Sequence, residues 1–420
     1  MTETWLGKGM QQVACASCSL LCDDIEAGFD QHGDWLVKGA CPQGRRLLEK
    51  VWQDHVPQYK VGSRTVNLAT AVQAARDLLI DSRMPLITGL SGVGMECQQV
   101  AMRLAREIAS TIDVDCDPDR SRQLAFQRVG GVTATLGEVR NRADWLVFWC
   151  CDPTQSHPRF WERSDADSKK VMVIGPTDWT KGRADHFVPL RCEQSADAIA
   201  VCQGIVQNAY FDPASIVAAT GVELSGWEAV LQLLNQANYV ACICDAGVSD
   251  ASCWNVTQDR MSDWSIMMNR QTRFVCLQLG QQANRLAAEN VLAMNTGFSS
   301  GVSLIRSQPE FNYLEYATET LLSRKEVDSI LLISGVGVER LSKDARKRLG
   351  EIPKIVFQDD WSSSKVKNLD WNEGDVSVRA GGMMMGEWAR MDDVLLPFPV
   401  ELDPYQNPGF TFLSHLLEAV

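Results

Sequence analysis

The chain has 420 residues, of which 45% are hydrophobic, 22% charged and 8% aromatic. This length is too great for one core and predicts two or three domains of an ordinary globular protein. The formal charge of -13 and the pI near 5.0 argue against a nucleic-acid partner or an anionic membrane, because either would favour clustered Lys and Arg.

The N-terminal residues lack the basic stretch and apolar run of a secretory signal, and no window is apolar for long enough to cross a bilayer. A cytoplasmic location is therefore expected. The chain has 14 cysteines without the spacing of a small secreted disulfide framework, so most are expected to be reduced and buried.

Residues 1–57 predict a small Cys-rich N-terminal domain. The run DIEAGFDQHGDWLVKGACPQG has the alternation of a short hairpin, and RRLLEKVWQ then has the pattern of a helix. A domain of this size buries little surface by itself, so it needs a cross-link or a neighbouring domain.

The remainder of the chain predicts doubly wound, mostly parallel α/β sheets in two domains. Helix, strand, Gly/Ser turn and helix follow one another in LATAVQAARDLLIDS, MPLITGL, SGVGMEC and QQVAMRLAREIAST. Five more apolar runs predict strands covered on both faces: ADWLVFWCCDP, KKVMVIGP, YVACICDAG, TRFVCLQLG and SILLISGVG. We place a discontinuous first domain at 58–142 and 325–420, with a loop-rich tail after residue 360, and a second domain at 143–324.

Ligands of such sheets bind beyond the carboxyl ends of the strands. The segments GLSGVG, CCDPTQSHPR and GPTDWTKG lie at such positions and are the places where chemistry is expected.

The spacing of the first four cysteines predicts a metal site. Cys15, Cys18, Cys22 and Cys41 follow the pattern C-x2-C-x3-C-x18-C. A compact triplet of thiolates with one distant Cys is typical of a 4Fe-4S cluster, whereas zinc sites usually have two paired knuckles. The alternative is that these thiols only fill a small core.

The cysteine motif together with TLGEVRNRADWLVFWCCDPTQSHPRFWERS resembles the B-type subunit of formylmethanofuran dehydrogenase, strongly over residues 13–164 and faintly beyond. The resemblance implies a fold like domains I–III of molybdopterin formate dehydrogenases, with Cys15, Cys18, Cys22 and Cys41 as ligands of a 4Fe-4S cluster. It also implies tungsten or molybdenum held by two pterin guanine dinucleotides and one Cys or selenocysteine.

The chain departs from the family at the positions that hold these groups. In STIDVDCDPDRSRQLAFQRVG the metal-ligand position falls at Pro118, which cannot coordinate, while Cys116 stands two residues away as a weak candidate for tungsten or molybdenum. Gly175 and Thr177 stand where the family has charged residues near the pterin. We therefore expect the bis-pterin metal cofactor to be absent and Cys116 to be structural.

His157 and Arg159 are the remaining candidates for catalysis. An imidazole at the end of a buried strand can relay protons, but Asp152 and His157 in a Pro-fixed turn can equally bond nearby backbone. Arg140, Arg142 and Arg159 suit either an anion or a surface ion pair. Glu96 opens a helix, where its charge favours the positive end of the helix dipole.

The 13 tryptophans suggest buried contacts with a partner or the filling of a former cofactor cavity. Six of them fall near strand ends or in loops: Trp149, Trp161, Trp179, Trp361, Trp371 and Trp388. We expect the Met run 383–385 to pack against another subunit.

Two functions follow from the resemblance. In the first, the chain is a non-redox scaffold subunit of a formyltransferase/hydrolase complex. There, an amidohydrolase-type subunit and a formyltransferase release formate from a formyl-tetrahydromethanopterin-type carrier. In the second, it is an active tungsten or molybdenum formylmethanofuran dehydrogenase that interconverts carbon dioxide and formate. We favour the first and leave open whether this chain is itself an enzyme, and whether the four thiols are only remnants of a cluster site.

Overall fold

The structure is a computed structural model and describes residues 9–51, 57–116, 125, 127–245, 251–280, 284–306, 308–358, 369–379, 386–392, 394–398 and 408–420. Contacts divide the chain into two compact units. Unit 1 comprises Met1–Pro118, Gln282–Arg390 and Leu395–Val420, and unit 2 comprises Asp119–Gln281 and Met391–Val394. Within the described residues, no helix is both long enough and apolar enough to span a membrane.

The strands in chain order are β1 Gln11–Val13, β2 Ile25–Phe29, β3 Trp35–Lys38, β4 Gln58–Val61, β5 Arg64–Val66, β6 Pro85–Thr88, β7 Thr111–Ile112, β8 Trp145–Trp149, β9 Lys170–Gly175, β10 His186–Pro189, β11 Tyr239–Asp245, β12 Arg273–Leu279, β13 Val302–Ser303, β14 Glu310–Phe311, β15 Ser329–Leu332, β16 Lys354–Phe357, β17 Val376–Arg379, β18 Gly386–Ala389 and β19 Leu395–Phe398.

The α-helices in chain order are α1 Pro42–Val51, α2 Leu68–Ile80, α3 Met95–Glu107, α4 Leu136–Arg142, α5 Pro153–Ser156, α6 Phe160–Arg163, α7 Ser195–Val206, α8 Pro213–Thr220, α9 Leu224–Asn235, α10 Ala251–Met268, α11 Arg285–Thr296, α12 Thr318–Ser323, α13 Lys343–Glu351 and α14 Pro408–Ala419.

Unit 1 is built on a nine-stranded sheet with the order β14-β13-β7-β6-β15-β16-β17-β4-β5. The five central strands are parallel, and antiparallel pairs complete both edges. The strand order reverses between β6 and β15, because the chain runs from β6 to β7 on one side and from β15 to β16 on the other. The carboxyl ends of β6 and β15 therefore form the switch point of this sheet.

The N-terminal part of unit 1 is a separate antiparallel sheet in the order β1-β2-β3, followed by α1. The predicted hairpin is present, with Phe29 paired to Trp35 and Glu26 paired to Lys38. Buried apolar residues are few in this small sheet, as its length implies.

Unit 2 is built on a five-stranded parallel sheet with the order β10-β9-β8-β11-β12. The order reverses between β8 and β11, so their carboxyl ends form the switch point of this sheet. Strand β8 is buried at all five positions, in agreement with a strand covered on both faces. Together the two sheets confirm the predicted doubly wound, mostly parallel α/β fold.

The compact units do not follow the predicted domain boundaries. Residues 282–324, which we assigned to the second domain, lie in unit 1 because β13 pairs with β7 and α11 contributes Ala288, Val291 and Leu292 to the core of unit 1. Unit 2 instead begins at residue 119. The Cys-rich segment belongs to unit 1 as a whole.

The tail after residue 360 contains more regular structure than predicted. Strand β17 joins the main sheet beside β16, and α14 places Phe412, Leu413 and Leu416 in the core of unit 1. The Pro and Gly residues of QNPGF suggested a loop, but Pro is well tolerated at the first position of a helix.

Candidate functional site

The first three cysteines of the predicted cluster site are held by a tight turn. The Cys15 N–H donates to the Cys22 carbonyl at 2.9 Å, and the Leu21 N–H donates to the Cys18 carbonyl at 3.2 Å. Leu21 has a φ of 39°, a left-handed conformation that a Leu adopts only under the constraint of its surroundings. The turn therefore brings thiols seven positions apart in the sequence onto one short loop.

The fourth cysteine arrives from the start of α1. The Gly44 N–H donates to the Cys41 Sγ at 3.4 Å. A Cβ on Gly44 would lie 2.7 Å from the Cys15 Sγ and 3.7 Å from the Cys41 Sγ. The Cys15 sulfur leaves no room for a Cβ at Gly44 unless it moves, and the Cys41 sulfur lies within van der Waals contact of the same position.

The Cys18 thiol interacts electrostatically with the other three cysteines. Burial raises the pKa of the Cys18 thiol well above its ordinary value, and Cys22, Cys15 and Cys41 each raise it further. Cys15 and Cys22 are buried, whereas Cys18 and Cys41 are partly exposed. The structure therefore brings together the four cysteines that the sequence pattern singled out.

In the described part of the chain, no set of three or more His, Cys, Asp or Glu side chains is grouped closely enough to hold one metal ion. A single ion needs all its ligand atoms within bonding distance of one point. In a 4Fe-4S cluster each thiolate binds a different iron, so the sulfur donors surround a larger body. The convergence on Gly44 is compatible with this wider arrangement.

The switch point of unit 1 is packed by protein atoms. Gly89 has a φ of 88°, and a Cβ there would lie 2.4 Å from the Ser334 carbonyl oxygen. A Cβ on Gly92 would lie 2.4 Å from the Ser334 Oγ. The run GLSGVG therefore serves a close approach between the loops that follow β6 and β15, which is a structural use of its glycines.

Glu96 lies in the first turn of α3, as predicted, and its carboxylate accepts a hydrogen bond from the Glu387 N–H at 3.1 Å. Burial raises the pKa of Glu96 above its ordinary value. Asn284 closes the same region, with its Nδ2 donating to the Val93 carbonyl at 2.7 Å and its Oδ1 accepting from the Ala389 N–H at 2.9 Å. These contacts occupy the N-terminus of α3.

Cys116 follows β7 and is fully buried. It belongs to an apolar cluster with Leu86, Ile330 and Leu332. Its loop is anchored by Asp113, which accepts hydrogen bonds from the Thr318 N–H at 2.8 Å and the Ser300 hydroxyl at 2.7 Å. Pro118, at the expected metal-ligand position, lies outside the described residues.

His157 ends α5 in unit 2 and is buried, with 1% of its surface exposed. Its Nδ1 lies 2.9 Å from the Ser156 Oγ, and the ring also hydrogen-bonds the backbone of Gly280, just after β12. Burial lowers the pKa of His157 to about 4, although the bond to Gly280 opposes this shift. The imidazole is therefore neutral at pH 7 and links two loops.

Asp152 and the arginines near His157 have local partners. Asp152 caps α5 by accepting from the Thr154 N–H at 2.9 Å. Arg159 pairs with Glu162 at 2.7 Å, and Arg142 approaches Glu138 at 3.6 Å. Arg140 donates to the Arg163 carbonyl at 3.5 Å. In CCDPTQSHPR and EVRNR, these side chains therefore cap a helix or form local contacts, which is the structural alternative given for them in the sequence analysis.

In the loop after β9, the Asp178 carboxylate accepts hydrogen bonds from N–H groups of the same loop. Asp178 accepts hydrogen bonds from the Thr180 N–H at 3.0 Å and the Gly182 N–H at 3.2 Å. The Thr180 hydroxyl and these amides lower the pKa of Asp178. Gly175 is buried and Thr177 is exposed, so neither adds a charged group to this end of the sheet.

Of the six tryptophans near strand ends or in loops, most of those that the structure describes pack inside their own unit. Trp149 is fully buried and stacks on Trp227 with ring centroids 6.2 Å apart. Trp161 and Trp179 both pack against Phe148. Trp388 is buried in unit 1, whereas Trp371 is 37% exposed. Trp361 and the Met run 383–385 lie outside the described residues.

Unit 2 holds a second group of thiols that the sequence analysis did not single out. Cys242 of β11 and Cys276 of β12 are direct partners in the parallel register. A hydrogen bond from Cys242 lowers the pKa of Cys276, and the charges of Cys244 and Cys151 act on Cys242 as well. Only knowledge of the strand register reveals this group, because the four positions come from three separate segments of the sequence.

Comparisons with known proteins give consistent relatives. The B-type subunit of tungsten-containing formylmethanofuran dehydrogenase 2 from Methanococcus maripaludis is 24% identical over 414 residues, covering 93% of each chain. The protein of the same name from Methanocaldococcus jannaschii is 24% identical over 439 residues, covering 98% of this chain and 99% of that protein. The chain is a homologue of these formylmethanofuran dehydrogenase subunits.

A third relative is the B-type subunit of the formyltransferase/hydrolase complex Fhc from Methylorubrum extorquens, 22% identical over 333 residues and covering 72% of this chain and 85% of that protein. These homologues confirm the resemblance found in the cysteine motif and in TLGEVRNRADW. No protein-family model matches the chain.

Solved structures agree on the fold. A chain of the formyltransferase/hydrolase complex FhcABCD from Methylorubrum extorquens, crystallised with methylofuran, superposes with a TM-score of 0.68 at 18% identity, covering 86% of this chain and 98% of that chain. Acetylene hydratase from Pelobacter acetylenicus superposes with a TM-score of 0.61 at 11% identity, covering 97% of this chain and 69% of that chain. At these identities the likeness establishes the fold alone.

Proposed function

We propose that this homologue is a non-redox scaffold subunit of a formyltransferase/hydrolase complex in one-carbon metabolism. Its partners in the complex are an amidohydrolase-type subunit and a formyltransferase, which release formate from a formyl-tetrahydromethanopterin-type carrier. The relationship to the B-type Fhc subunit and the fold shared with a chain of the FhcABCD complex support this assignment. The acidic composition agrees with a cytoplasmic complex that binds neither nucleic acid nor an anionic membrane.

The environment of Cys116 is the observation that carries the non-redox assignment. The metal of the dehydrogenases needs a protein thiolate or selenolate that reaches an open site. Cys116, the thiol nearest the expected ligand position, is fully buried among aliphatic side chains. A thiol with no exposed surface does not face an open site of the kind that this metal occupies.

The non-redox assignment is also supported by the local hydrogen bonds and ion pairs that polar side chains make at the carboxyl ends of the strands. Glu96 and Asp178 accept backbone hydrogen bonds, and Arg159 is paired with Glu162. A pterin guanine dinucleotide carries a pyrophosphate, which favours convergent cations and free N–H donors. The two carboxylates and the paired arginine therefore offer the pyrophosphate no free cation at these positions.

We also propose that Cys15, Cys18, Cys22 and Cys41 hold a 4Fe-4S cluster. The convergence of the Cys15 and Cys41 sulfur atoms on Gly44 supports the fit. The cluster, when bound, supplies an electron-transfer centre and a cross-link. In a non-redox subunit, the cross-link between the 15–22 turn and the start of α1 is the useful part, because the small N-terminal sheet buries little apolar surface.

An active tungsten or molybdenum dehydrogenase subunit is the second candidate. The observation that favours it is that the two relatives aligned over more than 90% of this chain are both called tungsten-containing formylmethanofuran dehydrogenase. This function requires Cys116 to leave its apolar cluster, or another donor to replace it.

Metal analysis after anaerobic purification separates the two candidates. The chain should be co-expressed with its amidohydrolase-type and formyltransferase partners, and iron, tungsten and molybdenum should be counted in the purified complex. We expect about four iron atoms per chain, a brown colour with absorbance at ~400 nm, and neither heavier metal. Stoichiometric tungsten or molybdenum would overturn the scaffold assignment.

Two cysteine variants serve as a matched pair in this experiment. Cys41→Ser removes a proposed cluster ligand and should abolish the iron and the colour. Cys202→Ser changes a fully buried thiol in α7 of unit 2 and should leave both unchanged. If Cys41→Ser retains its iron, the cluster assignment is wrong. The scaffold assignment is tested separately, by the absence of tungsten and molybdenum and by formation of the complex.

A further inference from the structure

Unit 2 contains a cavity of about 170 Å³ near the carboxyl ends of β11 and β12. The strands contribute Cys244, Cys276 and Gln278 to its wall, and α10 contributes Gln258 and Ser262. The loop 130–133 closes it on another side, fixed to β12 by the hydrogen bond from the Cys276 N–H to the Val132 carbonyl at 2.9 Å. The described contacts that define this cavity therefore belong to unit 2.

Gln258 gives the cavity an unused hydrogen-bond donor. The residue is only 7% exposed, and its Nε2 has no hydrogen-bond partner within the described part of the chain. A buried amide donor without a partner is unfavourable, because it has lost its hydrogen bonds to water without replacing them. An acceptor oxygen placed in the cavity removes this cost, so the position calls for a ligand that carries one.

The other described residues of the wall determine the charge of that ligand. They are polar but uncharged, with two hydroxyls, a second amide and two thiols beside Val132, Ala125 and Met391. A carboxylate or ammonium ion entering this wall loses its hydration without gaining an opposite charge. The wall therefore favours a neutral molecule with a carbonyl oxygen and a small apolar part.

The volume limits the size of the ligand. A cavity of ~150 Å³ in a well-packed protein is large enough for benzene. A cavity of about 170 Å³ therefore accommodates a molecule of a few non-hydrogen atoms. A nucleotide or a pterin is far larger than this space.

We propose that this cavity binds a small uncharged carbonyl compound, whose oxygen accepts a hydrogen bond from the Gln258 Nε2 and whose body lies beside Cys276. The proposal rests on unit 2 alone. It is independent of the proposed function, because neither the cluster cysteines nor a partner protein contributes to the cavity.

Cys276 provides a chemical readout of occupancy. Its Sγ lies 3.0 Å from the Ser265 Oγ. Its hydrogen bonds with Cys242 and Ser265 lower the pKa of Cys276, and a lower pKa increases the fraction of reactive thiolate. Iodoacetamide is itself a small uncharged amide, and the thiolate displaces its iodide to form a thioether. A ligand in the cavity should block this reaction.

The test measures alkylation of Cys276 in the full-length chain by peptide mass spectrometry, with acetamide as the competing ligand. At an acetamide concentration about four times its Kd, mass action leaves about one fifth of the sites free, so the alkylation rate should fall about fivefold. Acetate has the same shape and a negative charge, and should give no protection. Saturation-transfer NMR of acetamide measures binding directly, whether or not Cys276 reacts.

A pair of glutamine variants identifies the donor. Gln258→Met keeps the side-chain length and removes the amide, and should abolish both the protection and the saturation transfer. Gln232→Met changes an exposed glutamine on α9 and should alter neither. Thermal melting checks that both variants fold. The proposal fails if wild type shows no saturation transfer, if acetate protects as well as acetamide, or if the folded Gln258→Met variant binds acetamide as wild type does.

Discussion

The two parallel sheets have the same winding but differ at their carboxyl ends. In unit 1 the loops after β6 and β15 pack so closely that Gly89 and Gly92 have no room for a Cβ beside Ser334. In unit 2 the end of β11 and β12 retains a cavity beside the Gln258 Nε2, which has no hydrogen-bond partner among the described residues. The packed region of unit 1 is its switch point, whereas the cavity of unit 2 lies one strand away from the β8/β11 switch point, beside β11 and β12.

The opposite, amino-terminal end of the unit 1 sheet is closed as well, here by charge. The Lys354 Nζ lies 2.8 Å from the Asp375 Oδ2, and both side chains are fully buried. The ammonium also donates to the Gly350 and Ile352 carbonyls at 3.0 and 3.1 Å, and Asp375 accepts from the Lys354 and Asn372 N–H groups. The pair is thus fully hydrogen-bonded and fixes the starts of β16 and β17.

The largest expected effect comes from breaking this pair. Lys354→Met should lower the free energy of unfolding by about 3–5 kcal/mol, because it leaves the Asp375 carboxylate buried without its cation. Denaturant unfolding at pH 7 measures the loss. The matched control is Lys347→Met, which removes an exposed contact of 3.9 Å with Glu351 and should cost at most ~0.5 kcal/mol. Equal effects for the two variants would contradict a rigid, closed end of this sheet.

The carboxyl end of unit 2 is tied by a neutral side chain instead of a charged pair. His157 connects the loop after β8 to Gly280 after β12, and its pKa is lowered from 6.5 to about 4 by burial. Protons then bind to the unfolded chain before they bind to the folded one as the pH falls. Stability contributed by the neutral imidazole is therefore complete above pH 6.5 and is lost between pH 6.5 and pH 4.

The second largest expected effect is the loss of folding stability at acid pH that follows from protonation of His157. A shift from 6.5 to about 4 corresponds to about 3 kcal/mol of destabilisation once the pH lies below both values. His157→Gln removes the titration, so its free energy of unfolding should fall less steeply than that of wild type over this interval. Denaturant unfolding at a series of pH values gives both slopes. Parallel slopes would mean that the His157 imidazole is not buried as described.

Sequence patterns were sufficient for six strands of the two sheets, namely β6, β8, β9, β11, β12 and β15. Trp145–Trp149 and residues 239–244 are apolar at successive positions, which is typical of a strand covered on both faces. The grouping of the N-terminal thiols could also be predicted from the sequence, because three of them lie within one turn and their spacing is local. Their convergence with Cys41 depends on Gly44, which the spacing alone does not specify.

The features that escaped prediction depend on contacts between distant segments. The side chains of Cys242, Cys276 and Gln258 share one region only because β11 pairs with β12 in one register and α10 packs beside them. Residues 282–324 belong to unit 1 because β13 pairs with β7, which two-residue strands do not reveal in a sequence. Helix α14 was missed because its Pro-Gly start is typical of a turn.

A pair of glycine variants tests the difference between the two ends most directly, with the smallest expected effect. Gly89 and Gly130 have similar left-handed φ values, 88° and 74°, so replacement by Ala imposes a similar backbone cost of about 1 kcal/mol on each. A Cβ on Gly89 meets the Ser334 backbone at 2.4 Å, whereas a Cβ on Gly130 meets no described atom within 4 Å.

Gly89→Ala should therefore lower the free energy of unfolding by about 2 kcal/mol more than Gly130→Ala, the excess being the cost of forcing two backbone segments apart. The comparison cancels the conformational term, which acts on both variants, and leaves the steric one. Denaturant unfolding with fluorescence detection measures both losses. Equal losses would mean that the end of the unit 1 sheet can open as readily as that of unit 2, and the distinction between a packed and an available crevice would no longer hold.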